Sequence, residues 1–392
     1  MYDRSVRLSH PGSRSAAGRP GPTAPLGRGM DRRGAKPLLV RDYEDLARAR
    51  LPADVWDFIS GGSGTESTLT ANRAALERIR LRPRVLTDVT ACDPGTELLG
   101  ARIAAPIGIA PMAYHRLACP EGETATARAA GLAGVPLIVS MFASRTLEEI
   151  AAAGSGPLWL QLYWLRQREL LTGLVRRAEE AGFGALVLTV DAPRVGRRLR
   201  DVRNGFVLPP GVHAANVAPE AMAASHRAAP GASAIERHAR EQFDSSITWK
   251  DLARLRAITA LPLALKGILT AEDARLALEH GVDAVIVSNH GGRQLDGAVA
   301  SAQALPEIAA AVGGRCRVIV DGGIRHGTDV LKVLALGADA ALVGRPVLWG
   351  LTQGGAQGVS DVLGLLRDEL EEAMALSGRP RISDVDRSAV TL

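Results

Sequence analysis

Eight short aliphatic runs, separated by longer helical patterns from residue 104 onward, constrain this chain more than any other feature of its sequence. They are Pro106 to Ala110, Leu137 to Ser140, Leu158 to Leu162, Ala185 to Val190, Leu263 to Lys266, Ala284 to Ser288, Arg317 to Asp321 and Ala340 to Gly344. Short, β-branched or aliphatic runs alternating with helices are the sequence form of repeated βα units around a parallel sheet. Eight such units suit a closed barrel better than an open sheet, so the expected fold is α/β, a (β/α)8 TIM barrel. The helices have their own punctuation: Thr270 can cap AEDARLALEH before Gly281, and the helix from Gly327 stops at Gly337.

The barrel accounts for residues 104 to 392. Ahead of it, residues 37 to 103 carry RDYEDLARARLP and DVWDFISGGSG, which predict an N-terminal helical cap rather than an independent domain. Residues 1 to 36 are rich in Gly, Pro, Ser and Arg and lack apolar periodicity, so they form a basic tail expected to be disordered. That tail also explains the net charge of +5, which otherwise looks like a nucleic-acid signal. It holds eight Lys and Arg against two Asp, and the remaining 39 basic and 40 acidic residues nearly cancel. A neutral body implies no nucleic-acid partner.

Arg32-Arg33 is not followed by the apolar stretch of an export signal, and no run approaches the ~18 apolar residues that span a bilayer, so no membrane partner is expected. Cys92, Cys119 and Cys316 have no metal-type spacing; they predict neither a metal site nor a disulfide framework, and a cytoplasmic setting. The connection at 204 to 247, after the fourth strand, is long for a barrel and reads equally as an inert insertion or a lid.

Barrel active sites form where strands end, and here the ends are strongly non-random. They read Pro111-Met112-Ala113, Ser140, Gln161-Leu162-Tyr163, Thr189-Val190-Asp191, Lys266-Gly267, Ser288-Asn289-His290 with Arg293, Asp321-Gly322-Gly323 with Arg325, and Gly344-Arg345. The last two ends form a phosphate site, with glycines that let backbone amides approach and arginines that donate charge-assisted bonds. Lys266 is either a Schiff-base nucleophile, as in a phosphate-binding barrel lyase or isomerase, or a fixed positive charge; position alone leaves both open. His290, between Asn289 and two glycines and close to Arg293, reads as a base beside a cation rather than as a packed core histidine.

Together, SNHGGRQLD, DGGIRHGTDVLKVLALGA, QLYW, LTVDAPRVGRRLRD, LALKGILTAEDARLA and MALSG resemble the FMN-dependent L-2-hydroxy-acid oxidase and dehydrogenase family over roughly residues 40 to 390. The resemblance implies FMN as cofactor, a small-molecule 2-hydroxy acid as substrate, and O2 or another electron acceptor. It implies His290 as the catalytic base, oriented by Asp191, with Arg198 and Arg293 on the substrate carboxylate and Tyr163 on the substrate hydroxyl. Lys266 becomes an electrostatic group beside the flavin ring. Pro111, Met112, Ala113, Ser140, Gln161, Thr189 and Ser288 would surround that ring, Asp321 would meet the ribityl chain, and Gly322, Gly323, Arg325, Gly344 and Arg345 would hold the phosphate. A homo-oligomer, tetramer or octamer, follows by the same analogy.

Two positions depart from the small-substrate members. Phe58 stands where they carry a tyrosine, and Phe142 where glycolate-type enzymes carry a tryptophan. With PMAYH and WDFI, which are similar to the hydroxymandelate-oxidising members, they predict an apolar pocket and an aromatic substrate of the mandelate or 4-hydroxymandelate type. The alternative is a glycolate- or lactate-type acid. Ala113, where dehydrogenases of the family often carry glycine, favours an oxidase that makes hydrogen peroxide.

Overall fold

The computed structural model describes residues 36–217 and 241–391. The expectation of a disordered tail, and the central part of the 204–247 connection, therefore fall outside the described residues.

Every aliphatic run becomes a strand, its ends shifted by no more than two residues. The strands are β1 (Ile107–Ile109), β2 (Leu137–Ser140), β3 (Leu158–Leu162), β4 (Ala185–Thr189), β5 (Leu263–Ile268), β6 (Ala284–Val287), β7 (Arg317–Asp321) and β8 (Ala340–Val343). All pair in parallel with their sequence neighbours, and β8 pairs back on β1 to close the barrel.

Strand parity decides what reaches the mouth. Side chains alternate between the barrel axis and the surrounding helices. Ile138, Trp159, Ala185, Val187, Ala264, Ala284, Ile286, Ile319, Ala340 and Leu342 form one inner cluster, each at most 1% exposed. The indole of Trp159 occupies space that alanines at 185, 264, 284 and 340 leave free. Two residues beyond the last inward apolar side chain of β2, β3, β4, β5, β6 and β7 stand Ser140, Gln161, Thr189, Lys266, Ser288 and Asp321. The same parity that fills the core thus sends a polar group into the mouth from six consecutive strands.

Leu98 and Ile103, from a hairpin of Thr96–Leu98 with Ala101–Ile103, join the inner cluster just before β1 begins. The outward faces pack on helices, several with side-chain caps; Thr270 accepts a bond from the Asp273 amide at 3.1 Å, as its position predicted. The expected cap is helical, with α1 (Val40–Arg50), α2 (Ala53–Ser60) and α3 (Ser67–Arg78). These pack respectively on the C-terminal helix Arg345–Leu376, on helix Leu199–Asn204 and on helix Ser301–Val312. Among the described residues no helix is long and apolar enough to cross a membrane.

Candidate active site

The polar strand ends lock one another. Ser140 Oγ donates to Gln161 Oε1 (3.1 Å), and Gln161 Nε2 donates to Thr189 Oγ1 (3.0 Å). Across the mouth, Lys266 Nζ donates to Ser288 Oγ (2.8 Å) and pairs with Asp321 Oδ2 at 2.9 Å. Burial alone would lower the Lys266 pKa, but Asp321 and Asp191 outweigh it and the net direction is upward. A lysine held protonated lacks the free lone pair that a Schiff base requires. The ion pair with Asp321 favours a fixed positive charge at Lys266 over a nucleophile.

The run SNHGGRQLD builds much of the site, almost residue by residue. Ser288 is fully buried and, besides taking the Lys266 bond, accepts from the His290 amide at 3.0 Å. Its hydroxyl thereby links the lysine of β5 to the start of the His290 turn. Asn289 exchanges two 2.8 Å side-chain bonds with Asn72 of α3. His290, Gly291 and Gly292 all have positive φ (59°, 64° and 75°), a turn that swings the imidazole back over the mouth. Gly292 is required, because a Cβ there would lie 2.6 Å from the Leu69 amide nitrogen. Arg293 donates to the Gly61 carbonyl (2.7 Å), and Gln294 ties the strand-four loop by bonds to the Asp191 and Arg194 carbonyls. Asp296 accepts from the Thr65 and Thr68 amides and from the Thr65 and Ser67 hydroxyls, fastening the start of α3.

His290 Nδ1 lies 2.8 Å from Asp191 Oδ1. Asp191 fits there because β5 bulges at Gly267 (φ 115°), where a Cβ would come within 2.4 Å of the Asp191 Cβ. Burial would raise the Asp191 pKa, but His290 and Lys266 carry it below the ordinary carboxylate range. An ionised Asp191 accepts the Nδ1 proton and leaves Nε2 with its lone pair. Burial, helped by Lys266 and Arg198 and opposed by Asp191, pushes the His290 pKa below 6.5. The imidazole is therefore neutral at pH 7 and able to take a proton.

Beside it stand two guanidinium groups. Arg198 lies 4.0 Å from Asp201, and among the described residues its buried Nε has no hydrogen-bond partner. Burial, Arg198 and Arg345 together push Arg293 far below its ordinary pKa. Both guanidinium groups lie over the ring of Phe58, at 5.9 and 5.4 Å from its centroid. Phe58 itself stacks on Phe206 at 4.5 Å. Phe142 stacks on Tyr163 at 5.7 Å, on Phe243 at 6.0 Å and on Tyr114 at 6.5 Å, and Phe243 lies 4.4 Å from Tyr163. Burial, reinforced by Asp191, raises the Tyr163 pKa, so its hydroxyl remains a donor.

Phe206 and Phe243 are site residues that sequence reasoning missed. Both come from the described ends of the 204–247 connection; Phe243 lines the cavity, and Phe206 supports Phe58, which does. Their signal was scarcity: the chain has five phenylalanines, and four of them, at 58, 142, 206 and 243, gather here.

Arg325 and Arg345 line the same cavity. Burial lowers Arg325 to about 10 and Arg345 to about 9, the latter helped by Arg325 and Arg198. Arg325 lies over the Trp349 ring at 4.7 Å and Arg345 donates to the carbonyls of Ile59, Gly61 and Gly291. Among the described residues neither has a carboxylate partner, so an anion is the natural complement. Gly322 and Gly323 line the cavity too. A Cβ at Gly323 would sit 2.9 Å from the Asn72 backbone, and one at Gly322 3.0 Å from Ser301 Oγ, so both glycines also make room for α3 and its neighbour. Pro111, Met112, Ala113 and Gly344 line the cavity, and Asp191 reaches it through its bond to His290.

Residues 47–392 match the model of the FMN-dependent dehydrogenase family. The chain belongs to that family. It is 53% identical over 339 residues to the 4-hydroxymandelate oxidase of Amycolatopsis orientalis, covering 86% of this chain and 94% of that one. It is 49% identical to the L-lactate oxidase of Nostoc sp. over 91% and 99% of the two chains, and 47% identical to the glycolate oxidase of Spinacia oleracea over 90% and 95%. A solved structure of mandelate oxidase with (S)-4-hydroxymandelic acid superposes with a TM-score of 0.87 at 51% identity, covering 91% of this chain and 98% of that one.

FMN is the family's cofactor, and the cavity fits it. The two arginines without carboxylates suit its phosphate. Among the described residues Asp321 Oδ1 is buried without a partner, which suits a hydroxyl-rich chain. The Ser140–Gln161–Thr189 row suits the polar edge of a flat ring. Among the described residues no cluster of side chains is arranged to hold a metal ion.

Proposed function

We propose that this enzyme oxidises an (S)-2-hydroxy acid with an aromatic side chain, of the mandelate or 4-hydroxymandelate type, to the 2-oxo acid, passing the electrons to dioxygen with release of hydrogen peroxide. One observation carries the reading: a neutral histidine backed by a carboxylate faces the same cavity as two arginines and a wall of aromatic rings.

Arg198 and Arg293 receive the substrate carboxylate, since two guanidinium groups with one nearby carboxylate between them favour a second anion. That fixes the α-carbon beside His290. Tyr163 donates to the substrate oxygen, and the neutral His290 takes the proton at Nε2 while Asp191 stabilises the imidazolium that forms. Bound FMN supplies the two-electron acceptor that the α-carbon requires. Lys266 contributes its fixed positive charge at the mouth, where negative charge then accumulates. Phe58, Phe142 and Phe243 exclude water and present rings rather than polar atoms to the substrate side chain. Dioxygen as the acceptor is supported by the name oxidase that three of the relatives carry. The three unpaired cysteines agree with a reducing cytoplasm, and the exposed Val85 and Leu86 with a homo-oligomer.

Anaerobic flavin bleaching with (S)-mandelate, (S)-4-hydroxymandelate, (S)-lactate and glycolate, followed by peroxide measurement in air, tests this. Bleaching is expected fastest with the aromatic acids. Faster bleaching by glycolate overturns the aromatic substrate, and no bleaching by any of the four overturns the activity.

A further inference from the structure

Tyr114 has a role that the chemistry above does not use. It lies in the loop after β1 with φ 58°, its amide donating to the Phe142 carbonyl at 3.2 Å. Beneath it, the buried carboxylate of Glu123 accepts from the His115 amide (2.9 Å), the Ser144 amide (2.8 Å) and the Ser144 hydroxyl (2.8 Å). One side chain thus rivets the loops that carry Tyr114 and Phe142, and both rings are held in place.

Tyr114 is only 2% exposed and lines the cavity, and among the described residues no hydrogen bond holds its hydroxyl. A hydroxyl facing a cavity that a bound substrate closes off from water needs a polar atom of that substrate as its partner. The ionisable groups that act on it are Tyr163 and Arg198, which belong to the substrate end rather than the phosphate end. A mandelate-like acid directs its carboxylate to the arginines and its 2-hydroxyl to His290 and Tyr163. The one polar atom left to meet Tyr114 is a substituent on the aromatic ring.

We infer that Tyr114 is a specificity-determining residue whose hydroxyl bonds a ring hydroxyl of the substrate, so that the enzyme favours a hydroxylated mandelate over mandelate itself. This rests on the aromatic reading above. The test compares wild-type and Tyr114→Phe holoenzymes. The ratio of kcat/KM for (S)-4-hydroxymandelate to that for (S)-mandelate should fall roughly three- to tenfold in the variant, the worth of one neutral hydrogen bond, with mandelate itself changed less than twofold. Dissociation constants of 4-hydroxyphenylacetate and phenylacetate, which bind without turnover, should show the same selective loss. An unchanged ratio, or an equal loss for both acids, overturns the inference while the aromatic reading stands. A wild-type preference for glycolate over both aromatic acids overturns the two together.

Discussion

Asp191→Asn removes one negative charge and leaves the shape of the site nearly intact. The carboxylate lies 2.8 Å from His290 Nδ1, inside a buried site where Lys266 and Arg198 both oppose a positive imidazole. Unit charges about 4 Å apart interact by about 4 kcal/mol at an effective dielectric of about 20. With about half a proton transferred in the transition state, the loss is about 2 kcal/mol, or roughly 30-fold in rate. The loss is larger if the amide NH2 turns toward Nδ1 and forces the proton onto Nε2, the wrong tautomer for a base. The assay is the anaerobic bleaching rate with (S)-mandelate as a function of pH. In the wild type, His290 is held below 6.5, so kcat/KM should fall only as pH drops beneath that value. Asp191 is the group that raises the His290 pKa, so the variant's acid limb should move further down even as its plateau drops. A plateau loss below threefold, or an acid limb that rises, would refute this account of the pair.

Other outcomes follow from the same geometry. Gly267→Ala places a methyl against Asp191 at a φ of 115°, and should cost about 1–3 kcal/mol of stability and displace the His290 partner, read as a lower Tm together with slower bleaching. Arg345→Ala removes a cation without a carboxylate partner from the phosphate end, and FMN should bind roughly 10- to 100-fold more weakly by ultrafiltration, with apoprotein still folded by circular dichroism.

The barrel was legible because two local rules act together: aliphatic runs mark strands, and period-two alternation places Ser140, Gln161, Thr189, Lys266 and Asp321 in the mouth. His290 and Asp191 were legible for the same reason, as residues just past strand ends. What stayed hidden depends on contacts between distant segments. Asn72 and Asp296 look like ordinary helix-surface and loop residues until α3 meets the β6 loop more than 200 residues away. Phe206 and Phe243 lie in a connection without periodicity, so no local pattern marked them. The glycine pair at 322 and 323 marks a close approach in the sequence, but sequence does not say that the backbone of Asn72 is one of the groups that arrives.

The end of α2 is gripped through its backbone: Arg293 and Arg345 hold the Gly61 carbonyl and Arg345 also holds that of Ile59, while Phe58 projects from the preceding turn. Bonds to carbonyl oxygens are indifferent to side-chain identity. A change of side chain at position 58 therefore leaves these backbone bonds in place: what docks α2 and what shapes the stretch of pocket wall it carries are different atoms.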